Sequence, residues 1–256
     1  MNADALQRLL PAVERIARQA GEVILDVYRG DFTVREKADA SPVTQADERA
    51  EASIVPALQV LSPHFPVVAE EAASRGESPV VDQSCWMVDP LDGTREFVAR
   101  SGEFTVNIGL VVQGVPLLGV VFVPVHDTLY AGIAGLGAWV ERRGQRLAIS
   151  CRRVPLEGAT LATSRWHGSD SALHDWLQDK PVAARITAGS SLKFGLLAEG
   201  RADLYPRFGR TMEWDTAAGD ALLTAAGGQV VDLQGRSLRY AKPGFENPDF
   251  VAHGLG

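Results

Sequence analysis

Apolar residues recur at intervals of three and four along the first thirty positions, placing Leu6, Leu9, Leu10, Val13, Ile16, Ala17, Ala20, Val23, Ile24 and Val27 on one stripe. That period predicts a long amphipathic helix over residues 3–28, stopped at Gly30. A second helix is expected from about Pro42 to Leu61, with Ser41 as its cap, Pro42 at the first helical position, and Pro56 kinking it or ending it early. The period then changes. FPVVAEE (65–71) and CWMVDP (85–90) are short apolar runs that end on carboxylates, Glu70 with Glu71 and then Asp89, and they read as buried strands. From Phe104 to Trp139 Val, Leu, Ile and Gly dominate, with breaks at Gln113-Gly114 and His126-Asp127, the pattern of an antiparallel meander. After about Thr160, strand-like runs (TLATS, ARITA, ADLYP, GQVVDL) alternate with helical ones (SALHDWLQ, SLKFGLLAEG, WDTAAGDALLTAAG), and Gly227-Gly228 reads as a helix-to-strand turn. The polar RRVPLEG at 152–158 marks the expected boundary between an N-terminal α+β half, residues 1–151, and a C-terminal α/β half, residues 152–256.

Composition narrows the classes that this pattern allows. With 256 residues, 46% hydrophobic and 22% charged, and no low-complexity tract, the chain can bury a sizeable core. A net charge of −7, from 25 basic and 32 acidic residues, argues against a surface that tracks a nucleic-acid polymer, but a small anion can still bind where cations gather. The N-terminal stretch carries charges throughout and lacks the apolar core of a signal peptide, and no run is long enough to span a bilayer. Cys85 and Cys151 show no metal or redox spacing and are expected as free thiols of a cytoplasmic protein. The sequence leaves open whether the protein docks peripherally at the inner membrane through a partner, and whether it is a monomer or a homodimer.

The candidate chemistry centres on MVDPLDGTREF, residues 87–97, where Asp89 ends a strand and Asp92, Gly93 and Thr94 stand where a helix would begin. Backbone N–H groups at a helix start attract anions, and two aspartates there would repel a phosphate. The conflict disappears if divalent cations lie between carboxylates and phosphate, since Mg²⁺ is held by one or two carboxylates together with substrate oxygens. The plainer alternative makes Asp89 a turn residue before proline and Asp92 an N-cap. Glu70 with Glu71, and Asp215 at the start of WDTAAG, add carboxylates at further element ends. His64, His126, His167, His174 and His253 form no metal-binding pattern among themselves.

The segments AEE, DPLDGT and WDTAAG, in this order and spacing, resemble the inositol monophosphatase family of Mg²⁺-dependent, lithium-sensitive phosphatases. Within that family KADASPVTQAD (37–47), GEFTVNIGLV (102–111), GSSLKF (189–194) and LYPRFG (204–209) are similar to the CysQ-type 3'(2'),5'-bisphosphate nucleotidase branch, and the likeness extends over most of the chain. The resemblance implies an α/β fold, an alternating αβαβα sandwich. It also implies two or more Mg²⁺ ions, one held by Glu70, Asp89 and the carbonyl of Leu91, and a second by Asp89, Asp92 and Asp215. Glu70, Leu91, Asp92 and Asp215 would then face the substrate as well, while the N–H groups of Gly93 and Thr94 meet the phosphate. Two metals suit phosphomonoester hydrolysis, because one activates a water and the other stabilises the leaving oxygen. Thr94 is no base at neutral pH, so its hydroxyl needs a carboxylate partner; Asp47 matches the residue that forms this dyad in the nucleotidase branch, and Glu70 is the other candidate base. Trp214, beside Asp215, reads as a brace for that ligand.

Arg207 stands where inositol phosphatases carry a glutamate that binds a sugar hydroxyl. A guanidinium matches a second phosphate through bidentate, charge-assisted bonds. Lys193 would add positive charge, and Ser190 and Ser191 would donate to phosphate or ribose. The expected substrate therefore carries two phosphates, such as adenosine 3',5'-bisphosphate, cleaved at the 3' position to AMP; the resemblance further implies a role in sulfur assimilation, with 3'-phosphoadenylyl sulfate as a second substrate. Two rivals remain: a phosphatase of inositol 1-phosphate or a related sugar phosphate, and a non-catalytic, metal-binding regulatory protein of the same fold.

Overall fold

The computed structural model describes residues 1–36, 42–165, 170–178 and 180–255. Helix α1 spans Ala3–Arg29; Asn2 caps it by accepting the Ala5 N–H at 3.0 Å, and the Gly30 N–H closes it on Val27 O. Its apolar stripe, from Leu6 to Val27, is buried, so that stripe is not a surface for a membrane. Among the described residues no helix is long and apolar enough to cross one.

The second helix departs from expectation at its start. Helix α2 spans Gln45–Leu61, whereas Pro42–Thr44 forms strand β2, paired antiparallel with β1 (Val34–Glu36). The cap is Thr44, and Ser41 lies outside the described residues. A capping box decides it: Thr44 Oγ1 accepts the Ala46 N–H while Asp47 Oδ2 accepts the Thr44 N–H at 2.8 Å. Pro56 neither ends nor splits the helix. Ile54 and Leu58 on either side are fully buried, and their packing outweighs the roughly 3 kcal/mol that an interior proline costs.

Seven strands form the first sheet, in the order β3 (Val67–Ala69), β4 (Cys85–Asp92), β5 (Thr105–Val112), β6 (Val115–Val123), β7 (Thr128–Ile133), β8 (Gly137–Arg142) and β9 (Gln145–Ile149). All neighbours are antiparallel except β3 and β4. Two one-turn helices flank β4, α3 (Glu70–Ser74) and α4 (Thr94–Val98). A second sheet has the order β11 (Val182–Thr187), β10 (Ala159–Thr163), β12 (Leu204–Arg207), β16 (Phe250–His253) and β14 (Gln229–Asp232). Strands β13 (Thr211–Met212) and β15 (Glu246–Asn247) pair separately.

The layers alternate as an αβαβα sandwich. Helices α1 and α2 cover one face of the seven-stranded sheet, α6 (Leu192–Ala198) and α7 (Glu213–Ala225) fill the space between the sheets, and α5 (Asp170–Leu177) lies outside the second, where Trp176 meets Leu204, Val231 and Val251 around a cavity. Helix α7 can lie close because three glycines stand in a row across the strands, Gly109 opposite Gly119 and Gly119 opposite Gly132. A Cβ on Gly119 would fall 2.1 Å from Ala218 O.

Candidate active site

Strand β4 carries the acidic motif and is irregular where the motif needs it to be. Asp89 and Asp92 are three apart, a spacing that points two side chains to opposite faces of a regular strand. Opposite them on β5, however, stand Asn107 and Thr105, only two apart, with a register shift between. The bulge returns both aspartates to one face. Since Ala69 pairs with Val88, Glu70 follows alongside Asp89 and is hydrogen-bonded to it. Asp215 reaches the same place from the first turn of α7. Glu70, Asp89, Leu91, Asp92, Gly93, Thr94, Ser190, Ser191, Lys193, Arg207 and Asp215 all border one cavity of about 220 Å³.

Electrostatics mark these carboxylates as unsettled. Burial, followed by the charges of Glu70, Asp92 and Asp215, holds Asp89 well above the usual carboxylate range. Burial does the same to Asp215, with Asp92 and Glu70 adding to it, while the Met212 N–H and Arg207 oppose. Asp92 is pushed up to about 6, first by burial, with Lys193 and the Ser191 N–H pulling the other way. Asp89, Asp92 and Asp215 each accept one backbone N–H, from Leu91 (3.0 Å), Ser191 (2.6 Å) and Met212 (2.9 Å), which fixes their orientation and leaves each a second oxygen. Among the described residues no group of three or more His, Cys, Asp or Glu side chains stands close enough together to hold a metal ion without further ligands. The donor set is nonetheless hard oxygen throughout, buried at Asp89, half-buried at Glu70, Asp92 and Asp215, and mutually repulsive, which fits Mg²⁺ bound with a substrate's oxygens completing its shell.

Thr94 and Asp47 meet across the fold. The Thr94 hydroxyl donates to Asp47 Oδ1 at 3.1 Å, and Asp47 Oδ2 is pinned by both the N–H and the hydroxyl of Thr44, at 2.8 Å each. The capping box of α2 thus aims the carboxylate at Thr94. Helix α4 is a single turn begun by Gly93 at φ +92°, so its dipole is small and any phosphate contact rests on individual N–H groups. A Cβ at residue 93 would stand 3.1 Å from Ser190 Cβ.

The remaining residues sort themselves by what they touch. Ser191 is buried, and its hydroxyl donates to Asn107 Oδ1 at 2.6 Å and lies 2.7 Å from Thr105 Oγ1, so it faces the sheet. Ser190, at φ +47°, has its hydroxyl 3.1 Å from Thr105 Oγ1. Lys193 is 2% exposed; its ammonium donates to Ala188 O and Ser190 O and lies 5.0 Å over the Tyr205 ring. Burial lowers its pKa to about 8 against the pull of Asp92. Arg207 ends β12, and its Nη2 makes a long bond of 3.4 Å to Arg210 O. Trp214 is buried beside Asp215 and tilts against Phe245. Sequence reading did not single out Asn107 or Thr105, which hold Ser191 and, through the Asn107 amide, Asp92. The available signal is a lone amide in the otherwise apolar run VNIGLVV.

This fold with this carboxylate-lined cavity defines a class: the chain belongs to the inositol monophosphatase family of metal-dependent phosphatases, whose model matches residues 5–253. Among characterised relatives, 3'(2'),5'-bisphosphate nucleotidase CysQ of Escherichia coli K12 is 47% identical over 247 residues, 94% of this chain and 98% of that one. The CysQ of Haemophilus influenzae is 34% identical over 254 residues, covering 97% and 93%. The crystal structure of CysQ from Bacteroides thetaiotaomicron superposes with a TM-score of 0.80 at 35% identity, covering 98% of both chains. An inositol monophosphatase from Zymomonas mobilis gives the same score at 28% identity, covering all of this chain and 95% of its own.

Proposed function

We propose that the protein is a Mg²⁺-dependent 3'(2'),5'-bisphosphate nucleotidase that removes the 3'-phosphate of adenosine 3',5'-bisphosphate to give AMP and phosphate. The observation that carries this reading is one cavity that joins Glu70, Asp89, Asp92 and Asp215 to the guanidinium of Arg207, in a chain so similar to CysQ. Glu70, Asp89, Asp92, Asp215 and the Leu91 carbonyl are the groups that would hold magnesium, in two or more sites. Bound there, it supplies the Lewis acid and the charge compensation that phosphoryl transfer needs.

The chain's own residues do the rest. The Thr94 hydroxyl takes a proton from the attacking water as its own passes to Asp47 Oδ1, and Thr44 keeps that carboxylate in line. Glu70 is the alternative acceptor. The N–H groups of Gly93 and Thr94 hold the cleaved phosphate. Arg207 binds the uncleaved one, a task for which the charge of its guanidinium suits it and a glutamate's would not. Lys193 contributes its charge from beneath the 188–191 loop, while Ser190, the more exposed of the two serines, is the better placed to donate to the ligand. Such an enzyme clears the by-product of sulfotransfer and sulfate reduction, with 3'-phosphoadenylyl sulfate as a further substrate.

The test is phosphate release from adenosine 3',5'-bisphosphate and from inositol 1-phosphate side by side, with Mg²⁺, with EDTA and with lithium added. Mg²⁺-dependent preference for the nucleotide, inhibited by lithium, is expected. Preference for inositol phosphate would keep the metal chemistry and reject the substrate; silence on both would reject the catalytic reading.

A further inference from the structure

Among the described residues, two buried side-chain polar atoms find no hydrogen-bond partner, Arg207 Nε and Thr211 Oγ1. Both residues border the same cavity. A buried hydroxyl left unpaired in a native fold calls for an explanation, and a ligand that accepts from it is one. Thr211 is only 6% exposed, and nothing about its strand requires a hydroxyl, since β13 pairs with β15 through the backbone, Thr211 opposite Asn247.

The chain brings the two orphans together by a short loop. Strand β12 ends at Arg207, Gly209 turns the backbone at φ +100°, and Thr211 opens β13 four residues ahead of Asp215. Arg210, within the loop, also borders the cavity. The 207–211 loop therefore brings the Arg207 guanidinium and the Thr211 hydroxyl to the cavity from the side of the second sheet, with Arg210, whose Nε lies 3.8 Å from Glu246 Oε2, beside them. Asp89, Asp92 and Thr94 approach from the first sheet.

We infer that Thr211 is a specificity-determining residue whose hydroxyl, together with Arg207 Nε, donates to the phosphate that is not cleaved. The inference rests on the bisphosphate reading above. Both atoms are buried in residues that border the cavity, so a phosphate seated there is the acceptor that each lacks. A phosphate dianion can accept from both donors at once, whereas a neutral hydroxyl of a polyol gains far less from a guanidinium.

The experiment measures kcat/KM for adenosine 3',5'-bisphosphate and for adenosine 3'-monophosphate, which lacks the uncleaved phosphate, with the wild type, Thr211→Val and Thr211→Ser. Valine keeps the shape and removes the donor. The ratio of bisphosphate to monophosphate is expected to fall about tenfold in Thr211→Val, carried by KM, and to return in Thr211→Ser. A wild-type ratio in Thr211→Val overturns the inference, and so does a fall that Thr211→Ser shares, which would assign the effect to packing of the methyl group. A wild type that does not prefer the bisphosphate would instead overturn the bisphosphate reading, and the role of Thr211 with it.

Discussion

The carboxyl of Asp220 is held inside α7 by two hydroxyls, accepting from Tyr240 Oη at 2.8 Å and from Thr224 Oγ1 at 3.2 Å. Burial pushes its pKa up to about 7, and the two donors only partly oppose this. A carboxyl whose folded pKa lies above its unfolded value contributes stability that is fully present below about 4 and lost as the pH rises to 7, because over that window the folded state keeps a proton that the unfolded state has released. A rise from 3.8 to about 7 has a ceiling of about 4 kcal/mol. Asp220→Asn carries no charge at any pH. Its melting temperature relative to the wild type should therefore climb between pH 5 and pH 8 and level off above, and a difference independent of pH would show that Asp220 is not protonated in the fold. Other carboxyls titrate in the same range, but the difference between the two proteins isolates this one. Sequence alone does not reveal such a residue. Asp220 falls within the helical run after WDTAAG, and only the fold brings Tyr240 to it. The site aspartates are legible for another reason: one carboxylate at an element end is an ordinary cap or turn residue, but Asp89, Asp92 and Asp215 fall in DPLDGT and WDTAAG, whose order and spacing together carry the resemblance. The pairing of Thr94 with Asp47, 47 positions away, rests on resemblance, since no local pattern connects them.

Among the elements, α7 decides where Asp215 stands, and the glycine row decides where α7 lies. With the nearest helix atom 2.1 Å from a Cβ on Gly119, Gly119→Ala must push α7 off β6. The overpacking should cost about 1–3 kcal/mol. It should also raise the Mg²⁺ concentration needed for half-maximal turnover, because Asp215 lies only three residues from Ala218. Gly30→Ala, whose Cβ would come no closer than 3.7 Å to its neighbours, is the control and should melt within error of the wild type. Normal Mg²⁺ dependence in Gly119→Ala would show that α7 does not transmit its position to the site. Helix and strand types are legible here because each apolar run keeps its period; the groove is not, because Gly109, Gly119 and Gly132 become neighbours only through strand register. For the same reason the start of α2 is misread from Ser41 and Pro42. Two good signals for a helix start lie three residues apart, and the capping box of Thr44 with Asp47, together with the pairing of β2 with β1, chooses between them.

Across the whole molecule, the seven-stranded sheet ends at Ile149 and the second sheet begins at Ala159, on either side of the expected boundary at residues 152–158. The two halves nevertheless share a core. One buried cluster takes Met87, Val121 and Tyr130 from the first sheet, Phe194, Ala217 and Leu222 from the helices between, and Tyr205, Phe250 and Ala252 from the second sheet. Residues 1–151 alone would leave Val111, Val121 and Tyr130, all buried, open to water, along with the groove that receives α7. Exposing so large an apolar face costs more than the few kcal/mol by which domains are stable. The boundary is therefore proposed to separate two halves of one cooperative unit. Urea unfolding of the full chain, followed by far-ultraviolet circular dichroism and by tryptophan fluorescence, should give coincident single transitions. Trp86 and Trp139 belong to the first half, Trp166, Trp176 and Trp214 to the second, so the emission responds to both. Expressed alone, residues 1–151 should be insoluble or lack a cooperative transition. A separate transition for either half, or a soluble fragment that melts sharply, would establish the halves as independent domains.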